Sequence, residues 1–209
     1  MIITIFGATG MVGTQLVKQA LHKSYTVKAF GRNVFTADFA ENKYLHLIPG
    51  ALFDEKQVFD AVSGSDAVLS ALGGSFDGTD KSRSLGIKNI VTQMEKAKLK
   101  RIIAVGGMGS LDTEDDEIIM ETPIYPKQFL AVSKEHYKAY QFLKASSLNW
   151  TMVCPPDILK ADATGLYHTA ANHLPLPNNK KINAGDLAMF MLNELTKNEY
   201  IQQRVGISN

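Results

Sequence analysis

The chain has 209 residues, 45% of them hydrophobic and 21% charged, a composition that fits one soluble globular domain with a real core and makes two domains a tight fit. Twenty-two Lys and Arg against 21 Asp and Glu leave a formal charge of +1. There is no basic field to draw nucleic acid or an anionic membrane, so small molecules are the expected partners and no protein partner is legible. The single cysteine, Cys154, excludes an intrachain disulfide; a buried structural thiol in a reducing cytoplasm is the expectation.

In chain order, Met1–Phe6 lacks a basic start and its apolar run stops at Gly7, so it reads as a strand rather than a targeting segment. No run approaches the roughly 18 consecutive apolar residues of a membrane-spanning helix. Further short β-rich runs follow at Thr26–Phe30, Leu45–Pro49, Ala67–Ala71, Arg101–Gly106, Trp150–Cys154 and Arg204–Ile207. Segments of helical period lie between them, near Gly10–Lys23, Glu55–Val62, Lys81–Ala97, Ser133–Ser146 and Asp186–Thr196. This alternation predicts an α/β fold with a parallel, doubly wound sheet of Rossmann type. Right-handed crossovers give the order 3-2-1-4-5-6, with the last strand at an edge.

Two stretches interrupt the alternation: 111–129, with its acidic run Glu114–Glu117, and 160–181, with Pro175 and Pro177. Both follow sheet strands. Because ligands in open α/β sheets bind beyond the carboxyl ends of the strands, these connections are expected to build the substrate side, the second as a small C-terminal lobe. The acidic run reads as a solvated loop. The whole of 1–209 is expected to be one domain.

The chemistry concentrates at Gly7-Ala8-Thr9-Gly10-Met11-Val12-Gly13, which leaves the first strand and opens a helix. In that context the spacing is a dinucleotide-binding turn. Gly7 permits the tight turn, Gly10 lets the backbone approach a pyrophosphate, and Gly13 lets the helix pack on the sheet. Backbone N–H groups of Gly10, Met11 and Val12 then face the phosphates at the positive end of the helix. A carboxylate at the end of the second strand would select NAD(H) through the ribose 2′-hydroxyl. The chain reads Gly31-Arg32-Asn33 there instead, and a guanidinium binds a 2′-phosphate bidentately, so NADP(H) is the expected cofactor, with NAD(H) the alternative.

With these residues in place, the chain resembles the atypical short-chain dehydrogenase/reductase group, in particular its biliverdin-IXβ/flavin reductase-like and NAD(P)H-binding epimerase-like members. The resemblance spans almost the entire chain. It rests on the glycine turn, Arg32, Asp66–Gly74, Arg101–Gly107, Ser133-Lys134, Leu148–Pro156 and Asn183–Ala188. It implies that Gly50-Ala51-Leu52 lies against adenine, with Ala51 where the family has an acid, so that adenine recognition is weaker or falls to backbone groups. It also implies that Ala71-Leu72-Gly73-Gly74 runs beside the nicotinamide ribose and that Pro155 borders the nicotinamide.

Members of the wider superfamily use Tyr-x-x-x-Lys, because the lysine lowers the tyrosine pKa and the phenol exchanges a proton with substrate. Tyr140 and Lys144 have that spacing. The resemblance, however, aligns Ser133-Lys134 with the family pair and puts Leu130 at the tyrosine position, so Tyr140 is expected to pack on the sheet and Lys144 to face solvent. Lys134 is then a candidate to hold the nicotinamide ribose, Ser110 to hydrogen-bond substrate and His136 to donate a proton; an ordinary loop serine and a structural histidine are the competing readings. Trp150, Phe142 and Tyr137 read as core. The five histidines are scattered, and His168 and His173 stand five apart, so no metal site is expected.

Without the tyrosine, hydride transfer survives because the cofactor carries that chemistry, but acceptors narrow to conjugated ones that collect their proton from water. The leading expectation is an NADPH-dependent reductase of a flavin, quinone or similar molecule. A non-catalytic NADP-binding redox sensor is the alternative; a nucleotide-sugar epimerase is the third reading, weakened by the short C-terminal portion.

Overall fold

The computed structural model describes residues 1–209. Its first strand, β1 (Ile2–Phe6), is buried from Ile3 onward. Such a run, apolar at nearly every position, suits a central parallel strand covered by helices on both faces. The helix after it, α1 (Met11–His22), buries Val12, Gly13, Leu16, Val17 and Ala20 as a single stripe at helical spacing.

The chain continues through β2 (Thr26–Gly31), β3 (Leu45–Pro49), α2 (Glu55–Val62), β4 (Ala67–Ser70), α3 (Ser82–Lys96) and β5 (Arg101–Val105). After a 3-10 turn at Met108–Ser110 come α4 (Lys127–Lys144), β6 (Asn149–Cys154) and β7 (Asp157–Leu159). The last elements are β8 (His168–Ala171), β9 (Lys181–Asn183), α5 (Ala184–Lys197) and β10 (Gln203–Ser208). Eight strands form one sheet in the order β3-β2-β1-β4-β5-β6-β10-β8, while β7 and β9 pair in a separate two-stranded sheet. The fold is thus the expected Rossmann-type α/β domain.

Two apolar clusters sandwich the sheet. One joins α1 and α5 to its first face through Ile5, Leu16, Leu69, Leu187 and Met191. The other joins α2, α3 and α4 to the opposite face through Phe6, Val58, Ile90, Leu143 and Trp150. Crossovers on both sides bring every carboxyl end from β1 to β6 to one rim of the molecule. No helix is long and apolar enough to cross a membrane.

Three expectations need correction. The last parallel strand is not an edge: β10 lies between β6 and β8, and β8 pairs with it antiparallel, Val205 opposite Ala171 and Ser208 opposite His168. Its residues Val205–Ser208 are all buried, as an interior strand requires. Next, α4 begins at Lys127 just after Pro126, six residues before the expected start; its first turn buries no residue, so it carries no apolar stripe to announce it. Finally, the 160–181 stretch, in which no strand was expected, holds β8.

Candidate functional site

At the exit of β1, Gly7 adopts φ +73°, and a Cβ there would lie 2.4 Å from the Ala71 carbonyl oxygen at the exit of β4. The turn is therefore pressed against β4. Gly10 caps α1 without a side-chain hydrogen bond, its own N–H donating to Gly7 O at 3.0 Å. The helix's first bond runs from Thr14 N–H to Gly10 O at 2.9 Å, so the N–H groups of Met11, Val12 and Gly13 lie ahead of it. Thr9, Gly10 and Met11 are exposed, while Ala8 and Val12 are buried beneath them. The result is an uncapped helix N-terminus at the rim, carrying positive partial charge and close backbone.

The surroundings show which glycines the protein itself demands. A Cβ on Gly13 would fall 2.0 Å from Gly7 O, and one on Gly50 would strike the Phe30 ring at 2.4 Å. Gly10 is different, with only Gly7 O at 3.4 Å, and around Gly31 and Gly73 no atom lies within 4 Å of the missing Cβ. Packing does not require these three to be glycine. A Cβ at each would instead enter the space above the exits of β1, β2 and β4, where a dinucleotide lies in such a sheet. The residues present fit that group.

Arg32 and Asn33 are exposed at the exit of β2. Ala51 is also exposed, but its N–H donates to Gln57 Oε1 at 2.7 Å, and the neighbouring Leu52 carbonyl accepts from Asn89 at 2.9 Å. These two backbone groups are not free for adenine. Ala71 and Leu72 are half-buried, Gly73 and Gly74 exposed, and Pro155 buried. The Pro155 carbonyl accepts from Met108 N–H at 3.0 Å, tying the β6 exit to the β5 exit.

The structure does not bring the three candidate catalytic side chains together. Ser110 is fully buried and its hydroxyl has no partner, while its carbonyl accepts from Arg204. It is a packed loop serine, closed to substrate. Lys134 is exposed on the face of α4 opposite the buried stripe of Val132, Ala139 and Leu143. His136 packs on Gly107, where a Cβ would lie 2.9 Å from its Cδ2, and its Nδ1 is enclosed without a partner. Burial pushes its pKa down to about 3, with the Arg83 charge adding and Glu135 opposing. The ring is neutral across the neutral range and is no imidazolium acid.

Tyr140 is 8% exposed, edge-on to Trp150 at 5.7 Å and under the Arg204 guanidinium at 4.6 Å. Exposed Lys144 lies 5.7 Å from the Tyr140 ring centroid, over the ring face. Cys154 is buried, and burial holds its thiol up at about 12, which makes it inert.

Two residues absent from the sequence reading stand at the rim. The Tyr125 hydroxyl shares a 2.6 Å hydrogen bond with buried Ser133 beside Gly109, and Arg83 is buried against the loop that follows β4. Neither lies in a recognisable motif. The rim also carries exposed apolar side chains: Met11, Phe35, Phe53, Phe76 and Ile124 are 45–91% exposed, each in a segment leaving the carboxyl end of one of β1–β5. A concavity of about 1160 Å³ runs along the outer flank of α1 and α5 between Lys18, Phe39 and Asp162. It does not include the glycine turn.

A family model described as NAD(P)H-binding matches residues 7–198, from the glycine turn through α5. The chain belongs to this NAD(P)H-binding family. Among its relatives, the uncharacterized Bacillus subtilis (strain 168) protein YwnB is 26% identical over 216 residues, covering 98% of this chain and 97% of its own length. A solved Streptococcus pneumoniae TIGR4 structure, described as a candidate NADH-flavin reductase, is 27% identical with TM-score 0.84, covering 100% of this chain and 99% of its own. A Bacteroides thetaiotaomicron structure, described as a candidate epimerase, is 27% identical with TM-score 0.87, covering 99% and 96%. The chain is thus similar along its whole length to differently described proteins.

Proposed function

We propose that this chain is an NADPH-dependent reductase of small, flat, conjugated acceptors such as a flavin or a quinone. The observation that carries the reading is the uncapped N-terminus of α1, open at Gly10, with exposed Arg32 at the neighbouring strand exit. The free N–H groups of Met11 and Val12 would hold the pyrophosphate, while the Gly10 N–H, expected from the sequence to join them, is taken by Gly7 O. Arg32 and Asn33 would take the 2′-phosphate, the guanidinium bidentately. Gly31 leaves room for the adenosine ribose and Gly73 for the nicotinamide ribose. The bound nicotinamide supplies a hydride.

The apolar rim supports a flat conjugated acceptor, since exposed aromatic side chains cover a ring with little entropy loss. Hydride transfer to such a molecule leaves a charge delocalised over its π-system, and the balancing proton comes from solvent. That matches a site in which Ser110 is enclosed, His136 is half-buried with its Nδ1 shut in, and Lys134 faces water. The NADH-flavin reductase description of the Streptococcus pneumoniae relative agrees with this acceptor class. A cytoplasmic location and small-molecule partners complete the reading.

The same enclosed side chains favour a second reading, a redox sensor that binds NADPH without turning it over. An NADPH-oxidation assay across flavins and quinones, run beside binding titrations with NADPH and NADH, separates the two. Turnover on at least one acceptor, surviving in Tyr140→Phe, is expected. Tight NADPH binding with no turnover on any acceptor selects the sensor, and a preference for NADH removes the role of Arg32.

A further inference from the structure

We propose that Arg83 is a positioning residue for the nicotinamide half of the cofactor site, a buried clamp that fixes the Gly73–Asp77 loop so that Gly73 faces the cleft. This rests on the NAD(P)H reading above. Residues 72–80 make no backbone–backbone hydrogen bond, although their loop leaves a central strand at the ligand-binding rim. With no backbone partner, the path of this exposed loop is set only by what side chains, water or ligand hold.

Arg83, in the first turn of α3, supplies that link. Its Nη1 donates to the Ser75 carbonyl and its Nη2 to the Gly74 carbonyl, both at 2.8 Å. The residue is only 6% exposed, and its Nε is enclosed with no partner. The Phe76 ring, 5.7 Å from the guanidinium, closes over it from outside. Burying a guanidinium is costly, and one that leaves a donor unpaired is costlier still. The position answers to what the two terminal nitrogens hold.

The two glycines of the loop then divide their roles. A Cβ on Gly74 would lie 2.6 Å from Asp80 Oδ2 and 3.1 Å from Arg83 Nη1, so Gly74 is glycine because the loop is drawn down onto the clamp. Gly73 has open space around its missing Cβ and is the one presented to ligand. Behind the clamp, Glu135 is 2% exposed and accepts from the Ser84 hydroxyl, from Lys81 at 3.0 Å and from Lys138 at 3.4 Å. Its charge, with that of Asp80, offsets the buried guanidinium. The ion cluster thereby ties the first turn of α3 to the middle of α4.

The test compares wild type with Arg83→Met, Arg83→Lys and Gly74→Ala. Hydrogen exchange over residues 72–79 is measured in cofactor-free protein. Affinities are measured for NADPH and for adenosine 2′,5′-bisphosphate, which contains only the adenine half. Arg83→Met is expected to raise exchange in the loop at least tenfold and to weaken NADPH at least tenfold, leaving the bisphosphate within about twofold. Arg83→Lys, able to reach one carbonyl, should recover part of both losses. Gly74→Ala keeps the buried charge and should reproduce the loss, so it stands in if Arg83→Met fails to fold. Unchanged loop exchange, or equal weakening of NADPH and bisphosphate, overturns the proposal. If wild type binds neither NADPH nor NADH, the cofactor reading fails, and the exchange data still report whether Arg83 clamps the loop.

Discussion

The carbonyl oxygen of Gly7 stands 2.0 Å from where a Cβ on Gly13 would be, so the exit of β1 and the first turn of α1 are in direct backbone contact. Gly10, between them in sequence, has its nearest such neighbour at 3.4 Å. One motif thus contains a glycine the fold demands and a glycine that packing does not require, which the proposed cofactor reading assigns to the ligand. Gly13→Ala should force α1 off the strand, at an overpacking cost of ~1–3 kcal/mol. Gly10→Ala, at a helix cap, should cost about 1 kcal/mol or less, a few degrees in Tm, yet weaken NADPH binding at least tenfold. Calorimetry beside a fluorescence titration checks both; equal behaviour of the two variants would contradict the division.

In the proposed reading, Arg32 carries the choice between the two cofactors. It is exposed, so neutralising it leaves no buried partner stranded, and stability should not move. A hydrogen bond to a charged group contributes about 1.5–3 kcal/mol, and each 1.4 kcal/mol is tenfold. Arg32→Ala should therefore weaken NADPH by roughly 10–100-fold while leaving NADH within about threefold. The ratio of the two dissociation constants is the readout. Parallel losses for both cofactors would mean that Arg32 does not read the 2′-phosphate.

The glycine turn and the order β3-β2-β1-β4-β5-β6 were legible because both are local signals: a spacing that permits close backbone approach, and apolar runs separated by helical ones. What failed was tertiary. His168–Ala171 becomes a strand only because β10 offers it an edge, and nothing in four half-polar residues announces that. Ser110, Lys134 and His136 were chosen by residue type and resemblance, whereas their roles depend on the direction each side chain takes. A one-residue step on α4 rotates that direction by about 100°, enough to separate buried Glu135 from solvent-facing Lys134. Arg83 was invisible because a lone arginine near a helix start is ordinarily a surface residue. Only the unbonded loop above it shows otherwise.

His136 provides a stability signature that its chemistry does not. Its folded pKa is about 3, against about 6.5 in an unfolded chain. Between those values the unfolded state binds the extra proton, so stability rises with pH there and falls as pH drops from about 6.5 towards 3. The full slope for one group is about 1.4 kcal/mol per pH unit. Urea midpoints measured from pH 4 to pH 7.5 should show this slope in wild type and lose it in His136→Gln. An unchanged slope in the variant would place the titrating group elsewhere.

Asp186 should report a separate, more acidic window. It is fully buried in the first turn of α5 and gathers the strap that leads from β7 to β8. Its carboxylate accepts from Thr164 N–H at 2.7 Å, Gly165 N–H at 2.8 Å and the Thr164 hydroxyl at 2.9 Å. Asn209, the last residue, reaches the same carboxylate at 2.9 Å. Burial alone would raise its pKa; the donors from Asn209, Gly165 and Thr164 outweigh that and hold it below the ordinary carboxylate range. The stabilisation is therefore present above the unfolded value of about 3.9 and is lost as pH falls through the lower folded one. Asp186→Asn puts an amide donor among donors, so at least one charge-assisted bond, about 1.5–3 kcal/mol, is lost at neutral pH. Limited proteolysis and hydrogen exchange should then show opening at residues 160–167 before the sheet yields, with the acid-sensitive step below pH 4 removed. If the strap stays as protected as in wild type, Asp186 is not its latch.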